Sequence, residues 1–121
     1  MTSGDHPMKI EHNGTLMRIY VSQSRRREHN IVYKLIVEAM ADAGIAGASV
    51  FLGIEGFGSH HYVSDANVID AYVDLPILIE AVDDDDKIRG FIPTLETILD
   101  DGLVTLERLQ TIFSRSSGFD G

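Results

Sequence analysis

The chain contains no cysteine. It can form no disulfide and offers no thiolate to a metal or substrate, a usage that agrees with a cytoplasmic protein. Long apolar runs are missing too. No segment approaches the ~18 to 20 consecutive apolar residues that a membrane helix needs, so a soluble protein is expected. Basic residues are few, 10 against 19 acidic ones, and the formal net charge of −9 removes broad attraction to nucleic acid or anionic membrane. Any anion site must be local. Motifs for nucleophilic catalysis are equally absent, with no G-x-S-x-G and no Ser, His and Asp set at a known spacing. No enzyme is expected.

What is present reads as globular: 44% hydrophobic and 24% charged residues in a 121-residue chain, enough for one core. The opening stretch "MTSGDHPMKIEHNG" is polar, is broken by Gly4, Pro7 and Gly14, and lacks the apolar core of a secretory signal. Residues 1–14 are expected to be a flexible tail. From Leu16, "LMRIYVS" alternates Met17, Ile19 and Val21 against Leu16, Arg18 and Tyr20, the period of a half-buried strand. "QSRRREHN" is then a polar loop.

In "IVYKLIVEAMADAG", Val32, Leu35, Ile36, Ala39, Met40 and Ala43 fall at helical spacing, opposite Lys34, Glu38 and Asp42. Asn30 is its expected cap and Gly44 its left-handed stop. "GASVFLGIEG" follows as a second strand. Pro76 lacks a backbone donor and belongs at a strand start or edge, which puts the third strand at Ile77 to Val82. "DDDDKIRGFIPTLETILDDG" shows helical spacing at Ile88, Phe91, Ile92, Leu95, Ile98 and Leu99. Pro93 either kinks that helix or restarts it in a first turn. Asp83 to Asp86 supply a cap and place negative charge where the helix dipole favours it. After Gly102, "LVTLERLQTIF" is the last strand, leaving 114–121 as a flexible tail around the domain at 15–113.

The order strand, helix, strand, strand, helix, strand predicts an α+β, ferredoxin-like βαββαβ fold. Its four-stranded antiparallel sheet carries both helices on one face. Leu16, Tyr20, Phe51, Leu78 and Val82 would then share the helix-free face with Arg18 and Glu80. So apolar a face predicts a homo-oligomer with sheets packed inward.

Between two apolar runs lies "GIEGFGSHH", residues 53 to 61. Gly53, Gly56 and Gly58 spell G-x-x-G-x-G rather than the dinucleotide fingerprint G-x-G-x-x-G, and no helix follows. They serve either as a loop whose N–H groups approach a phosphate or as a strained turn leaving the second strand. Arg25, Arg26 and Arg27 sit at the entry to the first helix, in reach of its N-terminus. In so acidic a chain they are the one strongly basic spot, fit for a phosphate or partner and equally readable as a solvated loop. His29, His60 and His61 raise a divalent-metal reading, weakened because adjacent histidines point apart in extended chain.

Three of these stretches, "GASVFLGIEGFGSHH", "DLPILIEAVD" and "KIRGFIPTLETILDDGLVT", resemble the PII-like family called domain of unknown function 190, over Leu16 to Phe113. The resemblance implies a trimer of ferredoxin-like subunits, as in the nitrogen regulatory PII proteins and their CutA-like relatives. It further implies an adenine nucleotide bound in clefts between subunits and a mobile effector loop between the second and third strands. That loop, here 56–65, would engage a membrane channel or transporter. PII proteins carry a basic, glycine-rich loop before the final strand, where this chain has "DDGLVT" with no lysine or arginine. AMP or ADP is thus expected over a triphosphate. The expected ligand contacts are Arg25, Arg26, Arg27, His29, Gly53, Gly56, Phe57, Gly58, His60 and Arg115, with no resident metal or firm cofactor and no nucleic-acid partner. The alternative is a CutA-like trimer that binds divalent metal through His60 and His61.

Overall fold

The computed structural model describes residues 8–56, 64–65 and 74–114. Strand β1 (Met8–Ser22) leads through a small hairpin to helix α1 (Val32–Asp42) and edge strand β2 (Ala48–Leu52). Strand β3 (Pro76–Asp84), helix α2 (Asp85–Ile98) and strand β4 (Leu103–Ser114) complete the sequence of elements. The sheet order is β2-β3-β1-β4, with every neighbouring pair antiparallel. This is the expected α+β, ferredoxin-like arrangement.

The alternation in β1 sends Met17, Ile19 and Val21 to one face, where β3 contributes Ile77, Ile79 and Ala81; all six are buried. Onto them α1 lays Val32, Ile36 and Met40, and α2 lays Ile88, Phe91 and Leu95, forming one core. Two caps tie the helices to their surroundings. Gly44 ends α1 at φ 79°, and Lys87 of α2 donates to its carbonyl oxygen at 2.6 Å. Asp83 accepts from the Ala46 N–H at 2.9 Å, anchoring the turn into β2.

Three local expectations are corrected, and a fourth is narrowed. β1 begins at Met8, because residues 8–10 pair with 112–114 of β4 in a ribbon that extends the strand, with a bulge between Ile10 and His12. In sequence the stretch "MKIEHNG" breaks into polar residues and glycine after Ile10, so no sustained alternation reveals the strand. The N-cap of α1 is Ile31, since Asn30 is taken into the hairpin that precedes the helix. At the start of α2, Asp84 occupies the N-cap position without a side-chain cap hydrogen bond. Of the two expectations for Pro93 the restart is excluded, because α2 runs through it. An interior proline costs ~3 kcal/mol, and burying Ile88, Phe91 and Leu95 at ~1.5 to 3 kcal/mol each outweighs that.

The other face of the sheet carries no helix. Cross-strand partners continue one row, Phe51, Leu78, Tyr20 and Leu103, across all four strands. Phe51, Tyr20 and Leu103 in that row are exposed. The next row sets Arg18 beside Glu80 at 2.9 Å and near Glu107 at 3.4 Å. The Glu80 hydrogen bond, followed by the charges of both glutamates, raises the Arg18 pKa. Leu16 and Val82 pair in the row beyond, so the expected composition of this face holds.

Candidate functional site

The end of β1, the starts of β3 and β4 and the exit of β2 lie at one end of the sheet, and the chain leaving α2 enters β4 there. Their connections form the candidate site. The β1 exit and β3 entry are clamped together. The Ser22 hydroxyl and, at 3.1 Å, the Ser24 N–H donate to the Asp74 carboxylate, and the Gln23 N–H donates to the Leu75 carbonyl at 2.8 Å.

The three arginines stand on a hairpin rather than in a loose loop. Arg26 and Arg27 pair with Ile31 and Asn30, and the turn between them holds Glu28 at φ 59°. The Val32 N–H donates to the Arg25 carbonyl at 2.8 Å, so the hairpin folds directly onto the first turn of α1. Arg26, Arg27 and His29 are exposed. Arg25 is engaged. Its guanidinium lies 3.0 Å from Asp100 and 3.7 Å from Asp101, in the turn between α2 and β4. Such a surface pair adds only ~0 to 1 kcal/mol to stability, so its main effect is where it puts charge.

A cleft of about 480 Å³, a size suited to a small ligand, opens beside that turn. Its apolar lining comes from Ile92, Leu95 and Leu99 of α2 and its C-terminal end, and from Val104 and Leu106 of β4. Its polar lining is Glu96, Asp100, Asp101 and Gly102. Gly102 is required by close approach, because a Cβ there would meet the Tyr20 carbonyl oxygen at 2.7 Å.

Gly53 has a packing explanation as well. A Cβ would lie 2.7 Å from Pro76 Cγ, and its own N–H donates to the Pro76 carbonyl at 2.8 Å. That N–H is therefore occupied and not directed to a ligand. Beyond it, Glu55 and Gly56 pair with Asp65 and Ser64, which brings the two ends of the 56–65 loop together. Phe57, Gly58, His60, His61 and Arg115 lie outside the described residues. Among the described residues no group of three or more His, Cys, Asp or Glu side chains is placed to hold a metal ion.

Asp100, Asp101 and Asp74 are the polar residues of this edge that sequence reasoning missed. "DDGLVT" drew attention for the base it lacks, and only the fold reveals that its acids reach back to Arg25.

An α+β subunit with this strand order and ligand-sized edge belongs to the PII-like, ferredoxin-like class of fold. It resembles CPII of Thiomonas intermedia K12, a nitrogen regulatory PII-like protein solved bound to ADP, AMP and bicarbonate, with a TM-score of 0.58 and 18% identity over 85% of this chain and 92% of that one. A second CPII structure, bound to ADP and bicarbonate, gives 0.56 and 19% over 85% and 93%. The chain belongs to the DUF190 family, "Uncharacterized ACR", whose model matches residues 14–111. A UPF0166 protein of Aquifex aeolicus is 30% identical over 98 residues, 81% of this chain and 92% of its own length. Another, of Methanocaldococcus jannaschii, is 33% identical over 92 residues, 75% and 84% of the two chains. No helix among the described residues is long and apolar enough to cross a membrane.

Proposed function

We propose that this protein is a PII-like regulatory subunit. It binds AMP or ADP at clefts between the copies of a homotrimer and signals through the 56–65 loop to a partner such as a membrane channel or transporter. The observation that carries this reading is that the arginine hairpin reaches, through Arg25, the turn of Asp100 and Asp101 that lines the ligand-sized cleft. The fold is that of proteins solved with ADP and AMP.

In this reading the phosphate is held by Arg25, Arg26 and Arg27 with His29, beside the first turn of α1, where the helix dipole favours an anion. Gly56, Phe57, Gly58 and His60 of the loop, with Arg115, are the further ligand contacts of this reading. Gly53, whose N–H is committed to Pro76, serves as the fixed root from which the loop departs. The ligand acts on the partner only through its differential affinity for two loop arrangements. The adenine requires an apolar wall, which the cleft supplies. The helix-free row of Phe51, Leu78, Tyr20 and Leu103 is buried against the other two copies.

A thermal-shift titration of the purified protein tests this. At ~100 times its dissociation constant a ligand adds ~2.7 kcal/mol to native-state stability, a rise on the order of 10 °C for a domain of this size. AMP or ADP is expected to produce it, and neutralising Arg26 and Arg27 to remove most of it. A rise with divalent metals alone, lost in His60→Ala with His61→Ala, would replace this reading with that of a metal-binding trimer.

A further inference from the structure

The turn that precedes β4 does more than lack a base. Asp100 and Asp101 present two carboxylates to the same cleft as Glu96, and both reach Arg25. Arg25 donates to Asp100 from Nε at 3.3 Å and from Nη2 at 3.0 Å, while Nη1 stands 3.7 Å from Asp101. Against three acids this edge of the cleft has one engaged arginine. The exposed Arg26 and Arg27 lie on the next two residues of the hairpin.

We propose that Asp100 and Asp101 are specificity-determining residues that limit the number of phosphates on the bound nucleotide, an inference that rests on the nucleotide reading above. An anion that takes Arg25 must share it with two carboxylates a few ångströms away. A first phosphate meets this cost once, offset by Arg26, Arg27 and the helix terminus. Each further phosphate adds negative charge beside the same acidic turn, where Arg25 is already shared with Asp100 and Asp101, and at such separations one like-charge contact costs several-fold to tenfold in affinity. The order of affinity is therefore AMP, then ADP, then ATP. Discrimination comes from repulsion built into the site as much as from contacts to the favoured ligand.

The turn is suited to this role because it is held in place. Gly102 packs against the Tyr20 carbonyl, and the Leu99 N–H donates to the Leu95 carbonyl at 2.8 Å. The backbone that carries the two carboxylates is thus held against β1 and α2.

The test is isothermal titration of wild type, Asp100→Asn, Asp101→Asn and the double variant with AMP, ADP and ATP, in metal-free buffer so that no cation masks the phosphates. The single variants guard against a folding defect in the double one, and thermal unfolding without ligand checks each. The ratio of ATP to AMP affinity is expected to rise about tenfold in the double variant and by less in each single one. Folded variants that bind nucleotide with an unchanged ratio would overturn the specificity role and leave the nucleotide reading standing. No binding of any nucleotide by wild type or variants would overturn both.

Discussion

A Cβ on residue 102 would stand 2.7 Å from the carbonyl oxygen of Tyr20, closer than real Cβ contacts come. The start of β4 can therefore lie against the end of β1 only with glycine there. Gly102→Ala should cost about 1 to 3 kcal/mol, since the obstructing atom is backbone and cannot turn aside. Gly90, on the exposed side of α2, has nothing within 4 Å of such an added atom. Gly90→Ala should instead stabilise by ~0.5 to 1 kcal/mol. Urea unfolding of the two variants, with unchanged denaturant slopes, is the measurement.

Acid sensitivity should trace to the foot of α2. The Thr15 hydroxyl, buried under the sheet edge, donates to Asp85 at 2.6 Å, and Arg89 donates to the same carboxylate at 2.9 Å. The Thr15 bond first, and then Arg89, hold the Asp85 carboxyl below its usual range. A depressed folded pKa means that the contribution is complete above the unfolded carboxylate value of ~3.9 and is lost as pH falls through the lower folded value. Thr15→Val should therefore be less stable than wild type at neutral pH, with the gap narrowing below about pH 4. A gap that stayed constant into strong acid would disconnect Asp85 from it.

The helix-free face should decide assembly. Leu78 lies between Phe51 and Tyr20 in the apolar row, one row from the Arg18 and Glu80 pair. Leu78→Glu adds a charge to that row without touching the helix-side core. Light scattering should show three times the chain mass for wild type and the chain mass for the variant, with the variant's circular dichroism unchanged.

Much of this architecture was legible in the sequence because apolar residues alternate wherever one face of a strand is covered. Met17, Ile19 and Val21 in β1 set the register, and the row through Tyr20, Leu78 and Phe51 followed from it. The ribbon at residues 8–14 was not legible, since its alternation lapses into His12, Asn13 and Gly14 before the core strand begins. At the site, the arginine run and Gly102 stood out as residue types. The ion pairs of Arg25 with Asp100 and Asp101 join residues 75 and more positions apart, and only the crossing of β1 beside β4 brings them together. At Gly53 the sequence left a phosphate contact and a turn open, and the structure adds the close approach of Pro76 and the bond from the Gly53 N–H to its carbonyl.

The most direct test of the central claim is native mass spectrometry of the purified protein with AMP or ADP present. The account predicts a trimer that carries up to three nucleotides, released together with the trimer's dissociation in Leu78→Glu. A monomer, or a trimer that takes up no nucleotide at millimolar concentrations, would contradict it.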